Sequence, residues 1–439
     1  MLFVLEESHV ASYWIETLGC PKNHVDSEKL AGRLQSQGYV AALKVEEADL
    51  VVANTCAFIE AAREESIDTV LELADAKARS AKLVVTGCMA ERYGEELAEA
   101  LPEVDLVAGF GVDLVTPTPV SLRPRSTFDL LNLPRPARST PWAYVKIAEG
   151  CDRRCGFCAI PSFRGDQRSR SREEILAETD DLVAAGAREI VLIAQDLASW
   201  GHDRRRSRRG EALEVLDEGG RQPIVDLVRS LSSRVEWVRL LYLYPSGLTD
   251  ELIDTIIESG VPYFDLSLQH VSRDLLRGMN RWGDGARFLE RIQRIRERDP
   301  QATFRSSFIL GYPGETEDDQ RQLVEFLEAA QLDWAGFFTY SKEEGTASAG
   351  RDAHVAPELA LERLREVSEI QDAISARRRD ALVGTLQHVL VEAPGRARSV
   401  RECPEIDGVI VVDEGLAVGA FVDVEIVESR GMDLVGAVR

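Results

Sequence analysis

Long apolar runs are missing from this 439-residue chain, and none approaches the length that a membrane-spanning helix needs. The N-terminus also lacks a cationic segment followed by an apolar one, so a cytoplasmic protein with no membrane partner is expected. Positive charge is short: 52 Lys and Arg stand against 75 Asp and Glu, a formal net charge of −23. A chain this acidic repels a phosphate backbone, so direct nucleic-acid binding is not expected and a basic protein is the better partner. Cysteine is sparse, at seven, and histidine sparser, at six. Nothing marks secretion, so the cysteines read as metal ligands and not as disulfide staples. With 44% hydrophobic residues the chain can still build ordinary cores, and its length suits two or three domains.

What is present begins with Cys151-Asp-Arg-Arg-Cys155-Gly-Phe157-Cys158, just after the apolar run Tyr144–Ala148. The spacing C-x₃-C-x₂-C offers three thiolates and no fourth, and the next histidine is His202, far downstream. A structural zinc site needs four ligands close by, so zinc does not fit. A four-iron cluster has four irons to ligate, and three protein thiolates leave one iron open to an exogenous molecule. The segment resembles the signature of the radical S-adenosylmethionine (SAM) enzymes. That resemblance implies a 4Fe–4S cluster on Cys151, Cys155 and Cys158, with SAM on the open iron.

Strand and helix patterns alternate from the start. Trp14–Leu18, Asp49–Ala53 and Lys82–Thr86 read as strands, with helical patterns over Asp26–Gln37, Ile59–Ala78 and Glu91–Leu101. Such alternation predicts a parallel sheet flanked by helices. Cys20, Cys56 and Cys88 each fall just beyond the carboxyl end of one of these strands, where open α/β sheets bind ligands. Three thiolates on one rim suggest a second cluster, again with an open iron. The bland reading is three buried small hydrophobes.

From Asp105 to Trp142 the pattern dissolves into a Pro- and Arg-bearing linker. Six strand-like segments follow, Tyr144–Ala148, Glu189–Asp196, Trp237–Tyr244, Tyr263–Gln269, Thr303–Leu310 and Trp334–Tyr340, with helical patterns between them. They predict a partial (β/α)6 barrel with its site at the carboxyl ends of the strands. Ser171-x-x-Glu174 has the form of a capping box. The Arg-rich insertion from His202 to Gln222 reads as a solvated loop, and His270 as a hydrogen-bonded structural residue. A helix from Glu358 to about Arg377 leads to short strands at Leu386–Glu392, Gly408–Val412, Phe421–Ile426 and Leu434–Val438, a small β-barrel in which Cys403 reads as non-functional.

Taken end to end, the chain resembles the methylthiotransferase family. Thr17-Leu-Gly-Cys20-Pro-Lys-Asn-His-Val-Asp-Ser27-Glu28, Asn54-Thr-Cys56 and Thr86-Gly-Cys88-Met89 are similar to its N-terminal domain, the central cysteines to its radical-SAM domain, and the tail to its TRAM domain. The resemblance implies an α/β architecture in three parts: residues 1–125 (second cluster), 137–375 (radical-SAM barrel) and 381–439 (all-β TRAM barrel). Cys20-Pro-Lys-Asn, Pro161-Ser162-Phe163-Arg164-Gly165 and Cys403-Pro404-Glu405-Ile406-Asp407-Gly408 resemble the branch that modifies an aspartate of ribosomal protein S12. The sister branch, acting on tRNA adenosine, typically reads Cys-Gln-Met-Asn and Pro-Tyr-Thr-Arg-Gly at the first two places. The insertion after Trp200 departs from the family pattern.

The resemblance implies two 4Fe–4S clusters and two uses of SAM, one as methyl donor and one as radical source. It also implies a SAM pocket drawing on Phe157, Gln195, Gln269, Arg305, Gly311 and Glu315, and a reductant such as flavodoxin or ferredoxin. A monomer is expected. Charge bears on the branch separately. Residues 381–439 hold ten Asp and Glu against five Arg, an acidic module suited to a basic ribosomal protein. A non-catalytic iron–sulfur carrier is the further alternative.

Overall fold

The computed structural model describes residues 10–115, 128–136, 138, 140–205 and 222–439. The chain divides into two units, residues 1–137 with 159–165, and residues 138–158 with 166–439. Among the described residues no helix is long and apolar enough to cross a membrane.

In the first unit the order is β1 (Ser12–Thr17), α1 (Pro21–Ser36), β2 (Val40–Ala41), β3 (Leu50–Thr55), α2 (Glu60–Ala76), β4 (Lys82–Gly87), α3 (Cys88–Ala100) and β5 (Leu106–Val107). The strands make one parallel sheet, ordered β2-β1-β3-β4-β5. β3 is buried along its whole length and β4 everywhere but Lys82, as parallel strands covered on both faces are. Helix α1 begins earlier than the expected Asp26 because Pro21 sits in its first turn, where proline's fixed φ suits the helix and its missing N–H costs nothing. Helix α3 likewise starts at Cys88, ahead of the expected Glu91. Both shifts bring a cysteine to a helix start. The stretch from Asp105 is not linker throughout, since Leu106–Val107 pairs with β4. Farther along it, buried Lys29 Nζ donates to the carbonyls of Leu131 and Leu133 at 2.6 and 3.2 Å, tying that segment to α1.

The second unit opens with β6 (Trp142–Lys146) and the short pair β7 (Ala148–Glu149) and β8 (Arg168–Ser169); between those two, α4 (Ile160–Phe163) groups with the first unit. Then come α5 (Arg172–Ala184), β9 (Glu189–Ile193), α6 (Pro223–Ser232), β10 (Trp237–Leu240), α7 (Asp250–Glu258), β11 (Tyr263–Gln269), α8 (Arg273–Gly278), α9 (Gly285–Arg298), β12 (Thr303–Leu310), α10 (Glu317–Ala330) and β13 (Trp334–Thr339). Strands β6-β9-β10 and β11-β12-β13 form two parallel sheets joined through the parallel bridge Leu243–Leu266. The six thus curve in chain order, as the alternating pattern predicts. The capping box at Ser171 is present, with Glu174 N–H donating to Ser171 Oγ at 3.2 Å and Ser171 N–H to Glu174 Oε2 at 2.9 Å. A second one, Thr316 with Asp319, opens α10. Of the Arg-rich insertion, residues 206–221 lie outside the described residues.

Helix α11 (Pro357–Asp380) leads to β14 (Leu386–Ala393), β15 (Arg396–Arg398), β16 (Ile410–Val411), β17 (Phe421–Arg430) and β18 (Asp433–Val438), which close a barrel in the order β14-β15-β16-β18-β17. Strand β15 is too short and too basic to show in the pattern. The segment Arg398–Asp407 seats on the amino-terminal ends of the large barrel's strands. Tyr144 Oη donates to the Pro404 carbonyl at 2.9 Å, Tyr263 Oη to Asp407 Oδ2 at 2.6 Å, and Arg398 Nη2 to Glu189 Oε2 at 2.6 Å. Cys403 is wholly buried there, its thiol pushed far up by burial.

Candidate metal centres

Strands β1, β3 and β4 are neighbours, and Cys20, Cys56 and Cys88 stand just past their carboxyl ends, so the expected convergence on one rim is realised. Gly19 has φ +92, and a Cβ there would meet Cys56 Cβ at 2.8 Å, which is why the residue before Cys20 has no side chain. The flanking polar residues knit the rim. Asn23 Nδ2 donates to the carbonyls of Leu18 and Thr55 at 2.8 and 3.1 Å, while Asn54 Nδ2 reaches Asn23 O and Ser27 Oγ, both at 2.9 Å. Arg164, of the same unit, donates through Nε and Nη2 to Cys88 Sγ at 3.3 and 3.1 Å and through Nη2 to Asn23 Oδ1 at 2.7 Å. Buried Asp26 lies 3.4 Å from the same guanidinium.

This setting acts on the thiols unequally. Burial alone would raise Cys20, but the charges of Lys22 and Arg164 and the N–H groups of Asn23 and Lys22 outweigh it and hold the thiol below its usual range. Cys56 goes the other way, pushed up to about 11 by burial and then by Cys20 and Cys88. Cys88 is raised by burial against the pull of Arg164. Among the described residues no group of three or more His, Cys, Asp or Glu is arranged to hold a single metal ion. A four-iron cluster takes each thiolate on its own iron, and three thiols on one rim offer three such ligands.

The central cysteines lie on the loop after β7, with Cys151 buried and Cys155 and Cys158 half-buried. The loop is fastened from several sides. Gly156 N–H donates to Met279 O at 2.8 Å, Asn280 Nδ2 to Arg154 O at 2.7 Å, and Ser348 N–H to Gly156 O at 2.8 Å. Arg153 pairs with Asp196 at 2.7 Å, and Arg281 Nη1 donates to Cys155 Sγ at 3.3 Å. Both guanidiniums lie over the ring of Tyr244, at 3.9 and 4.3 Å from its centroid. Burial pushes Cys151 up to about 11 before any metal is bound.

Of the six SAM-pocket candidates, Phe157 lies within the central cysteine loop, and Gln195 Nε2 donates to Glu149 Oε1 at 2.7 Å, next to Gly150 and Cys151. Gln269 ends β11 with φ +71. The other three have neighbours of their own within the second unit. Arg305 pairs with Asp265 at 3.0 Å and lies 3.7 Å from Asp407 of the small barrel, near the amino-terminal end of β12. Glu315 is occupied within the fold, Oε2 accepting the N–H of Gly311 at 2.6 Å and Oε1 pairing with Arg363 at 2.9 Å. Gly311, with φ +78, is approached by helix α11, since a Cβ there would meet Ala360 Cβ at 2.6 Å. His270 is fully buried, with Nδ1 accepting the Ser272 N–H at 3.0 Å, and burial lowers its pKa to about 4.

Residues 12–109 match the profile described as uncharacterized protein family UPF0004, 145–327 the radical SAM superfamily and 383–438 the TRAM domain. The ribosomal protein uS12 methylthiotransferase RimO of Geobacter sulfurreducens is 41% identical, over 96% of this chain and 97% of that protein. The RimO proteins of Thermotoga maritima (41%, over 97% and 99%) and Myxococcus xanthus (39%, over 99% and 93%) match in the same way. The chain belongs to the RimO methylthiotransferase family. Among solved structures, the radical SAM methyltransferase TsrM of Kitasatospora setae superposes with TM-score 0.48 at 14% identity, over 93% of this chain and 80% of that one.

Membership in the RimO family makes the cofactors 4Fe–4S clusters and SAM, and each triad offers three thiols of the kind that ligates such a cluster. Arg164, Asn23, Asp26, Arg281 and Tyr244 were not singled out from sequence. Asn23, Asp26 and Arg164 lie inside the family motifs, but only the fold shows Asn23 and Arg164 against the Cys88 thiol. Arg164→Gln is expected to lower methylthio transfer roughly 10–100-fold, the usual effect of removing a group that orients a metal ligand. Reductive SAM cleavage to 5′-deoxyadenosine should stay within about twofold, because its cysteines are elsewhere. Assaying both products on one reconstituted sample is the check; an equal fall in both would refute a role confined to the N-terminal rim.

Proposed function

We propose that this chain adds a methylthio group to the β-carbon of an aspartate in ribosomal protein S12, with one SAM as methyl donor and a second as radical source. The observation that supports it most is the pairing of two separate cysteine triads in one chain whose full-length relatives are RimO proteins. An aspartate β-carbon is unactivated, and no side-chain base removes its hydrogen at useful rate. The cluster and SAM at Cys151, Cys155 and Cys158 supply the radical chemistry this needs. The protein's own part is placement. Arg153, Arg281 and Asn280 hold the central loop, and Gly19, Asn23 and Arg164 hold the rim on which Cys20, Cys56 and Cys88 carry the sulfur-bearing cluster.

The partner is a basic protein, and the small barrel is the docking module. Of its ten acidic residues Glu392 and Glu402 are buried and Asp407 turns its side chain inward, which leaves seven to face solvent in whole or part. Electron supply by a flavodoxin or ferredoxin and action as a monomer complete the reading. The anaerobically reconstituted enzyme, given SAM and reductant, should modify purified S12, with the added mass on one aspartate-bearing peptide. Modified adenosine in tRNA with S12 untouched would replace this reading with the sister activity. Two clusters without SAM cleavage would replace it with an iron–sulfur carrier.

A further inference from the structure

A cavity of about 370 Å³ opens where β13 and the end of α11 meet the small barrel. Arg377, Arg378, Arg379 and Arg401 line it, with Asp333 as the acidic residue among them. In a chain of net charge −23, four guanidiniums around one cavity run against the composition. The nearby carboxylates are already engaged. Asp333 Oδ1 accepts from Arg378 Nε at 2.6 Å and its Oδ2 from the N–H of Phe304 at 2.9 Å, while Glu402 pairs with Arg379 and accepts from Ser399.

Arg401 gives Nη2 to Gln301 Oε1 at 3.0 Å and Nη1 to Thr303 Oγ1 at 3.5 Å, and Arg379 lies over the Trp334 ring, yet donor capacity remains. Arg379 is 3% exposed, yet its Nε and Nη2 are buried without a hydrogen-bond partner among the described residues, and so is Nε of Arg401. Arg377 is exposed and makes no ion pair among the described residues. Burial, and then repulsion from Arg378 and Arg379, hold Arg401 below the usual arginine range, a strain that a bound anion relieves. Arginines in the last turn of α11 also suit its negative end. That accounts for one or two of them at most, and not for Arg401, which comes from the small barrel. Buried polar groups are ordinarily satisfied, so these unmet N–H groups point to a ligand with several acceptor oxygens.

We infer that this cavity is a binding site for a phosphate group, held by Arg377, Arg379 and Arg401. Guanidinium forks match phosphate oxygens in pairs, and such charge-assisted hydrogen bonds are the strong ones. Two sources carry the same chemistry, a free phosphate ester and the backbone of RNA. The inference does not depend on the substrate reading above.

Thermal unfolding of the full, reconstituted chain in inorganic phosphate, against chloride at equal ionic strength, is the direct test. Binding to the folded state alone should raise the midpoint by about 2 °C or more. The Arg377→Gln/Arg401→Gln variant should lose that shift. Arg377→Gln alone, at an exposed position, should reduce it without disturbing the fold. A labelled single-stranded RNA oligonucleotide then separates the sources. If phosphate competes with it, and the double variant binds it at least about tenfold more weakly with a shallower salt slope, the site reads an RNA backbone. RNA binding equal in both proteins, beside an intact phosphate shift in the wild type, assigns the site to a free phosphate ester. No phosphate-specific shift in the wild type, or the same shift in the double variant, overturns the inference.

Discussion

Replacing Cys20, Cys56 and Cys88 together with Ala should abolish methylthio transfer, while 5′-deoxyadenosine still forms from SAM under reduction. The two triads lie in different units, Cys20, Cys56 and Cys88 in one and Cys151, Cys155 and Cys158 in the other, so loss of one set need not unfold the other. Iron should fall from about eight per chain to about four, as expected when one of two four-iron clusters is gone. The converse variant, with Cys151, Cys155 and Cys158 changed to Ala, should also keep about four irons but form no 5′-deoxyadenosine. Iron analysis, product assay and circular dichroism on the same samples decide the matter. Full transfer by the first variant would sink the assignment of sulfur to the N-terminal rim. Loss of all iron from either folded variant would sink the two-site reading.

The separation of these sites was legible in the sequence because each cue was local. C-x₃-C-x₂-C is a contiguous string, and the other three cysteines each follow a short apolar strand whose type and length the alternation gives. Sheet order was not legible, but the outcome needed only that β1, β3 and β4 be neighbours, which short parallel crossovers favour. Side-chain roles were a different matter. For Arg305 and Glu315, which the resemblance assigns to the SAM pocket, the sequence shows nothing of their ion-pair partners. Arg305 answers Asp407, about a hundred residues away in the small barrel, and Glu315 answers Arg363 on α11. Such pairings join segments whose contact depends on tertiary packing, and no periodicity reports them. The acidic count of the small barrel holds, but not every charge in it faces outward, since a sequence cannot say that the side chains of Glu392, Glu402 and Asp407 point inward. Cys403, read as non-functional, sits in the very segment that closes the end of the large barrel.

That closure makes the stability of the second unit sensitive to one residue. Arg398→Met is expected to destabilise it by roughly 3–5 kcal/mol, the cost of removing one partner from a buried ion pair. Arg398 is fully buried, donating from Nε to Glu392 Oε1 at 2.5 Å, from Nη2 to Glu189 Oε2 at 2.6 Å and from Nη1 to the Glu402 carbonyl at 2.8 Å. Glu189, equally buried, takes Arg239 Nε at 2.7 Å on its other oxygen, and Arg239 reaches back to Val400 O at 3.0 Å. The methionine fills much of the space but leaves Glu392 facing a buried site with its closest cation gone. Changing Glu189, Arg239, Glu392 and Arg398 together to apolar residues of similar volume should cost far less than the separate changes add up to, because no lone charge remains. The pH dependence has a definite sign. Burial alone would raise the Glu189 carboxyl, but Arg239 and Arg398 outweigh it and hold the folded-state value below the ordinary one. Its contribution is therefore complete above the ordinary carboxylate range and is lost as pH falls through the lower folded value. In Arg398→Met that acid-side loss should shrink, since one of the two charges that depress the carboxyl is gone. Urea unfolding of both proteins across a pH series measures both effects. A cost for Arg398→Met within about 1 kcal/mol of zero at neutral pH would mean that water or repacking compensates the buried carboxylates, and that the network does not hold the small barrel in place.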